Sequence, residues 1–407
     1  MKKLLWIIFI LIILLMILPL ISVYALELPN VNSDTVLIYD INEDKILFNK
    51  NGNKQREIAS LTKMITVYTV LDYEKNLNKE ITINDFMRWA VNPELSVHKI
   101  QTGEVYTVDE LLHMCMLESA ADACMAVAFD IKGSESGMAE LVNNKAKELG
   151  MIHSNFINIT GLDNSNNYST AEDLLLFLKV ALKNDTYREI FTNKKYLLRN
   201  GNYIYPTISG LSQIFKLDMS KILGDKTGFT DPAGLCLASL IKIEDHEMIM
   251  ITLGAPPVLK EGYHVKDADI LLRFLEDNYN YEVLYNKDEV IKSLNIELSK
   301  QETYDIKVSE DVKKYLPSDY DKSLISYKYE GKELLSYLDK QGDKIGTVKY
   351  YYNNELLYEQ EVVLNEEINI SIPKVLNKYK VYLIIGFILI VLLILMIRLL
   401  HKNKKGR

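Results

Sequence analysis

Apolar positions in the first two thirds of the chain predict strands at its two ends and helices between them. Residues 36–40 and 45–49 are apolar runs joined by a polar tetrad, as in a β-hairpin, and residues 235–243 and 247–253 form a second pair. From Ser60 onward, apolar residues recur every three or four positions, the spacing of amphipathic helices. Further helices are predicted over residues 107–130, 134–149, 170–184 and 265–279. Distant strands would then pair in one sheet with flanking helices, an α/β architecture.

The pattern changes after about residue 280, where apolar and polar residues alternate with a period of two. This alternation predicts several short strands, with Asn353 and Asn354 in the turn between the last two. We therefore expect a first domain over residues 26–280 and a small β-rich domain over residues 281–373.

The N-terminus has the pattern of a secretory signal peptide over residues 1–25. Two lysines precede a short apolar run over residues 4–18, which is followed by Pro19 and by a small residue at Ala25. We expect cleavage after Ala25. The alternative is an uncleaved anchor helix, although the run is shorter than the roughly 20 residues that a membrane span prefers.

The C-terminus predicts a transmembrane helix over residues 381–400, because residues 381–397 contain no charge. The final residues 401–407 form a basic tail that is denser in positive charge than the segment before the helix. The positive-inside bias places this tail in the cytoplasm and the rest of the chain outside the cell, tethered to the membrane as a single-pass protein. The alternative is a helix buried in a soluble protein.

Composition narrows the class of protein. The 407 residues carry a net charge of −8, which argues against a nucleic-acid binder. With 48% hydrophobic and 25% charged residues, the chain is neither disordered nor a multi-pass membrane protein.

On a single helix, Cys115 and Cys124 would lie on opposite faces and about 13 Å apart, too far for a disulfide. We expect these two and Cys236 to be buried free thiols.

Candidate chemistry begins with Ser60 and Lys63. Positions three apart share one face of a helix, so the Lys63 amine can reach the Ser60 hydroxyl and take its proton. A serine at a helix start is also a common N-cap, and two other serine-x-x-lysine quartets begin at Ser96 and Ser239. The quartet therefore needs support from other motifs.

Two further motifs follow in the order that serine acyl-transferring enzymes use. Ser119 lies in a small-residue segment, where the alternative role is helix packing. Lys226, Thr227 and Gly228 precede the second hairpin, where the alternative is an ordinary polar loop.

In combination, these motifs resemble the D-alanyl-D-alanine carboxypeptidases, a branch of the low-molecular-mass penicillin-binding proteins. Residues 58–66, 158–173 and 224–237 look like the family's nucleophile helix, a characteristic loop and its substrate-lining strand, and residues 342–346 fit its C-terminal module. The resemblance covers roughly residues 30 to 370. It implies a β-lactamase/transpeptidase-like fold, with an antiparallel sheet, flanking helices and an all-helical part.

The resemblance also implies roles for individual residues. Ser60 would be the acylated nucleophile and Lys63 its base, while Ser119 would relay a proton toward the leaving amine. Lys226 and Thr227 would bind the terminal carboxylate of a D-alanyl-D-alanine peptide, in a substrate-binding segment that also includes Gly228 and Phe229. The backbone N–H groups of Ser60 and Phe229 would form the oxyanion hole. The implied partners are peptidoglycan stem peptides and β-lactam antibiotics, and no metal or organic cofactor is expected.

One position departs from the family motif, which has an asparagine where this chain has Ala121. An asparagine there would hydrogen-bond the catalytic lysine and the substrate amide, and alanine can do neither. Loss of a buried hydrogen bond to a charged group costs about 1.5–3 kcal/mol. The favoured hypothesis is therefore a membrane-anchored carboxypeptidase, and the alternative is a weakly active or non-catalytic peptidoglycan-binding homologue. A β-lactamase or broad esterase is a third hypothesis, although we find no glutamate to assign to deacylation.

Overall fold

The computed structural model describes residues 28–404, except residues 90, 93–94 and 217. The predicted signal peptide and the last three residues of the basic tail lie outside the described residues. The chain forms two compact units, a first unit that ends at Asn278 and a second unit that begins at Tyr279.

The first unit combines one large sheet, two small ribbons and nine helices among its described residues. Its strands are β1 (Thr35–Asp40), β2 (Lys45–Lys50), β3 (Glu80–Thr82), β4 (Val105–Thr107), β5 (Tyr196–Leu197), β6 (Tyr203–Ile204), β7 (Ile222–Thr230), β8 (Gly234–Ile243) and β9 (His246–Ala255). Its helices are α1 (Thr62–Tyr73), α2 (Asp85–Trp89), α3 (Val108–Leu117), α4 (Ala121–Lys132), α5 (Glu135–Glu148), α6 (Ala171–Ala181), α7 (Asp185–Thr192), α8 (Thr207–Phe215) and α9 (Tyr263–Asn278).

The large sheet is antiparallel, with strand order β2-β1-β9-β8-β7. Val36 of β1 pairs with Thr252 of β9, so strands from the two ends of the unit meet as predicted. Every residue of β1 is buried, which means that both faces of the sheet are covered there. Helices α6 and α9 pack on the sheet, and strand β7 forms one of its edges.

Helix α1 lies in the core of the helical part, against α3, α4 and α5. Nine of its twelve residues are buried, including the polar Thr62, Lys63 and Thr66. Burial of a lysine is unusual in a protein core, because desolvation of the charged form is costly. The expected fold class, an antiparallel sheet with flanking helices and an all-helical part, is confirmed.

The predicted helix over residues 107–130 is two helices, and this changes the outcome for the cysteines. Helix α3 ends at Leu117, Ser119 takes a left-handed backbone conformation with φ +61°, and helix α4 begins at Ala121. The turn brings Cys115 and Cys124 together in a disulfide, with 5.5 Å between their Cα atoms. The expectation of two free thiols was wrong, because the two cysteines are not on one helix. Cys236 is a buried free cysteine, as expected.

The second unit is a β-rich module followed by a long helix. Its strands are β10 (Tyr279–Tyr285), β11 (Val290–Glu297), β12 (Thr303–Lys307), β13 (Val312–Pro317), β14 (Ile325–Gly331), β15 (Leu334–Ser336), β16 (Lys344–Tyr352) and β17 (Glu355–Val363). Asn353 and Asn354 both have positive φ in the β16–β17 turn, the conformation that two-residue hairpins prefer. Strands β10, β13 and β15 were not predicted.

Helix α10 (Ile372–Lys404) ends the described chain. Over residues 372–398 it is long and apolar enough to cross a membrane, and its apolar side chains are exposed. It begins nine residues before the predicted span, since the amphipathic residues 372–380 are helical as well. By length and composition, this helix fits a membrane anchor.

Candidate active site

Ser60 lies in a short 3-10 turn, Ala59–Leu61, that leads directly into helix α1. The preceding Ala59 has a φ of +47°, a conformation that a residue with a side chain adopts only when its surroundings impose it. Ser60 is half-buried and stands at the positive end of the α1 dipole, where developing negative charge is favoured.

The Lys63 amine meets the Ser60 hydroxyl, as the sequence spacing predicted. Lys63 Nζ donates a hydrogen bond to Ser60 Oγ at 2.8 Å and a second one to the carbonyl oxygen of Thr160 at 2.6 Å. The lysine is fully buried, so its amine is held in one place between these two oxygens.

The loop that contains Thr160 is shaped by Asn158. The Asn158 side-chain oxygen accepts hydrogen bonds from the backbone N–H groups of Thr160 at 3.3 Å and Gly161 at 2.8 Å, and its amide donates to Leu162 O. Gly161 has a φ of +84°, and a Cβ atom there would lie 1.9 Å from Ala59 O. The loop therefore packs directly on the turn that contains Ser60.

Strand β7 approaches the same turn from the sheet. A Cβ atom at Gly228 would lie 2.9 Å from Ile58 O and 3.2 Å from Ser60 N. This close approach of two backbones explains the need for glycine in the motif. The segment with Lys226 and Phe229 is thereby brought next to the turn that contains Ser60.

The polar residues of β7 are held in defined orientations. Lys226 is buried and donates a hydrogen bond from Nζ to Thr227 O at 2.9 Å. The Thr227 hydroxyl lies 2.5 Å from the hydroxyl of Thr207, the first residue of helix α8. Phe229 is half-buried and pairs with Leu235 in strand β8.

Burial shifts the protonation of both site lysines. Desolvation lowers the pKa of Lys63 well below its ordinary value of 10.5, the positive Lys226 lowers it further, and Asp122 and Glu135 oppose the shift. Desolvation also lowers the pKa of Lys226 to about 8, against the attraction of Asp225. Near neutral pH, the Lys63 amine can therefore be neutral while the Lys226 amine is charged. A general base requires the neutral form, and a site that attracts an anion requires the charged form.

The second motif lies at the α3–α4 turn. Ser119 is buried, and the backbone N–H of Ala121 donates to Ser96 O at 2.8 Å. The Asp122 carboxylate accepts hydrogen bonds from the backbone N–H groups of His98, Lys99 and Ile100, at 2.7–3.1 Å. Its oxygens are thus occupied in fixing this neighbouring loop.

The structure contains site features that sequence reasoning missed. The contact between the Thr160 carbonyl and Lys63 was not predicted. The sequence signal for this loop is the run Asn158-x-Thr160-Gly161. Thr207 had no sequence signal, because only the tertiary fold brings it to Thr227. The Cys115–Cys124 disulfide was missed because one continuous helix was assumed.

A serine beside a buried lysine, next to the edge strand of an antiparallel sheet, is the arrangement of the serine enzymes that form acyl intermediates. The chain belongs to the D-alanyl-D-alanine carboxypeptidase family, whose model matches residues 22–257. A second model, described as the C-terminal domain of penicillin-binding protein 5, matches residues 279–369. The expected class, a serine-type carboxypeptidase among the low-molecular-mass penicillin-binding proteins, is confirmed.

Among curated relatives, the chain is 28% identical to D-alanyl-D-alanine carboxypeptidase DacF of Bacillus subtilis, over 84% of this chain and 87% of that protein. It is 27% identical to DacA of Escherichia coli K12, over 84% of each. Among solved structures, a peptidoglycan synthesis regulatory factor (PBP3) from Streptococcus pneumoniae matches with a TM-score of 0.61 and 22% identity, over 84% of this chain and all of that one. Penicillin-binding protein D2 of Listeria monocytogenes, solved in an ampicillin-bound form, matches with a TM-score of 0.52 and 24% identity, over 60% of this chain and 98% of that one.

Proposed function

We propose that this chain is a membrane-anchored serine D,D-carboxypeptidase that removes the terminal D-alanine from peptidoglycan stem peptides. The observation that supports this most directly is the 2.8 Å contact between Lys63 Nζ and Ser60 Oγ, beside an edge strand that contains Lys226. The family acts on peptidoglycan and binds β-lactams, which agrees with this assignment.

In the proposed acylation step, neutral Lys63 accepts the hydroxyl proton of Ser60. The Ser60 oxygen then attacks the carbonyl carbon of the penultimate D-alanine. The backbone N–H groups of Ser60 and Phe229 would stabilise the negative oxygen of the tetrahedral intermediate, and the approach of β7 to Ser60 N supports this pairing. Loss of one such donor costs roughly two to three orders of magnitude in rate.

The leaving D-alanine needs a proton on its amine and a site for its carboxylate. Ser119 would relay the proton as the C–N bond breaks, while Lys226 and Thr227 would bind the carboxylate. Water would then hydrolyse the ester on Ser60 and release the shortened peptide. A β-lactam would acylate the same serine, because its ring amide takes the place of the peptide bond.

The test uses the full chain in detergent. Incubation with a penicillin should add the mass of one antibiotic, and the labelled peptide should contain Ser60. Ser60→Ala should abolish both labelling and D-alanine release from a peptide that ends in D-alanyl-D-alanine. The matched control is Ser96→Ala, because Ser96 also precedes a lysine by three positions and is exposed. Unchanged labelling of Ser60→Ala would overturn the proposal.

Ala121 favours one alternative, a peptidoglycan-binding homologue that turns over slowly or not at all. This alternative predicts that the chain binds a D-alanyl-D-alanine peptide without releasing D-alanine. Steady release that disappears in Ser60→Ala would exclude it. If the missing amide is the defect, Ala121→Asn should raise the acylation rate about ten- to 150-fold.

We also propose that residues 26–280 form the enzyme domain, residues 281–373 a β-rich domain, and residues 381–400 the anchor, with the C-terminus in the cytoplasm. The apolar, exposed surface of helix α10 supports the anchor. A tag added after Arg407 should resist protease in intact cells and be cleaved after lysis. Cleavage in intact cells would contradict the orientation.

A further inference from the structure

The turn that contains Ser119 holds a conformation that its own residues do not favour. Ser119 has a φ of +61°, in the left-handed region where a side chain is disfavoured. The turn closes with hydrogen bonds from Glu118 N and Ala120 N to Met114 O, at 3.2 and 3.1 Å. Such a backbone persists only when the surrounding structure imposes it.

The Cys115–Cys124 disulfide restrains this turn from both sides. Cys115 lies in the last turn of helix α3 and Cys124 in the first turns of helix α4, with 5.5 Å between their Cα atoms. Both cysteines are buried, and the loop that they close contains Ser119. The bridge therefore limits how far the two helices can separate at the point where Ser119 must be placed.

The same turn lacks the asparagine that the family motif has at position 121. A side-chain amide there could hydrogen-bond groups of the site and so hold the start of helix α4 against them, which the methyl group of Ala121 cannot do. Ties between this turn and its surroundings include the Ala121 N–Ser96 O bond, the Asp122 carboxylate on the loop at His98, and the disulfide, which is the covalent one among these three.

We infer that the Cys115–Cys124 disulfide is a positioning element of the active site, which holds Ser119 in its left-handed turn and replaces the restraint lost with Ala121. This inference rests on the proposed function, in which Ser119 acts on the leaving group. The proposed extracytoplasmic location would preserve the disulfide. Without the bridge, the turn relaxes toward conformations that a serine prefers, and the acylation rate constant falls about tenfold.

The test compares the full chain with the double variant Cys115→Ala/Cys124→Ala, using a fluorescent penicillin well below the melting temperature. If loss of the bridge displaces Ser119, the acylation rate constant of the double variant falls while all molecules still become labelled. A purely structural role lowers the labelled fraction or the melting temperature and leaves the rate constant unchanged. The matched control is Val265→Ala, which removes buried side-chain atoms from helix α9, outside the bridge, and should keep the wild-type rate constant.

A rescue variant makes the inference specific to Ala121. Added to the double variant, Ala121→Asn should raise the acylation rate constant by a larger factor than it does in the chain with the disulfide intact. If Ala121→Asn raises the acylation rate constant by the same factor with and without the disulfide, the disulfide does not take over the role of the missing asparagine. An unchanged rate constant in the double variant would overturn the positioning role itself.

Two further results complete the test. If the double variant does not fold, the native chain reduced with dithiothreitol and alkylated with iodoacetamide supplies the comparison, with alkylation of Cys115 read by mass spectrometry. A wild-type rate constant in the alkylated protein would overturn the inference. A wild-type chain that no penicillin acylates would overturn both the inference and the proposed function, whereas acylation of the wild type with no effect of the bridge overturns the inference alone.

Discussion

Thr160 O accepts a hydrogen bond from Lys63 Nζ at 2.6 Å, although the two residues are 97 positions apart in the chain. A carbonyl oxygen accepts but never donates, so this contact keeps one N–H of the amine directed away from Ser60. In the neutral amine, the nitrogen lone pair is then available to the Ser60 hydroxyl at 2.8 Å. The loop of Asn158 thus contributes to the orientation of the Lys63 amine.

Gly161→Ala should destabilise the protein and slow acylation, because its Cβ atom would lie 1.9 Å from Ala59 O at a φ of +84°. We expect a loss of about 2–5 kcal/mol in the free energy of unfolding, measured with urea. The matched control is Gly201→Ala, at a φ of +88° with open space around it, which should lose only about 1–2 kcal/mol. Equal losses for the two variants would show that the close contact with Ala59 does not matter.

Lys63→Met should lower the acylation rate by about two to four orders of magnitude, because the proposed general base is removed while the apolar stem remains. The pKa of Lys63 is lowered by burial, so the folded state binds fewer protons than the unfolded state at neutral pH and the lysine weakens folding there. The melting temperature of Lys63→Met should therefore be unchanged or higher.

Lys99→Met is the matched control for this change, since Lys99 ends another serine-x-x-lysine quartet and is exposed. It should keep the wild-type acylation rate by intact-mass kinetics. Rapid acylation of Lys63→Met would show that Lys63 is not the general base.

The specificity constant for a D-alanyl-D-alanine peptide should fall at alkaline pH. Burial lowers the pKa of Lys226 to about 8, and the neutral amine no longer attracts the substrate carboxylate. Asp225 opposes this shift, so Asp225→Asn should move the alkaline limb of the kcat/KM profile to lower pH. Asp231→Asn, at an exposed position in the next turn, should leave the profile unchanged. A limb that does not move in Asp225→Asn would contradict the assignment to Lys226.

Arg199→Ala should destabilise the first unit without changing the acylation rate constant of the folded protein. Burial tends to raise the pKa of Glu110, but hydrogen bonds from Arg199 and Thr107 outweigh it and lower the pKa below 4.5. Glu110 therefore adds stability above pH 4.5 that is lost as the pH falls through its lowered pKa. Loss of the exposed arginine side chain removes the hydrogen bond from its Nε to Glu110 and should lower the free energy of unfolding at neutral pH, measured with urea.

Arg199→Lys is the conservative control, because it keeps the charge but loses the planar pair of donors. It should lie between the wild type and Arg199→Ala in stability. The stability difference between wild type and Arg199→Ala should shrink as the pH falls below 4.5, and a difference independent of pH would contradict the ionised state of Glu110.

The order of most elements and the contact between Ser60 and Lys63 were predictable from the sequence. Apolar periodicity is a local property, so it predicted both hairpins of the sheet and most helices of the first unit. The spacing of Ser60 and Lys63 sufficed for their contact, since three residues at a helix start define one face. Strand β10 escaped because it follows helix α9 directly, with no turn residues between them to mark where the helix ends.

Contacts between distant segments were decided by the tertiary structure. Periodicity continues across the Ser119 turn, so the sequence indicated one helix, and only packing against the loop at residues 96–100 shows where that helix breaks. The disulfide, the Thr160 carbonyl and the Thr207 hydroxyl all depend on such packing. A local pattern reports which face of a segment is buried, but the partner that meets this face is chosen by the fold as a whole.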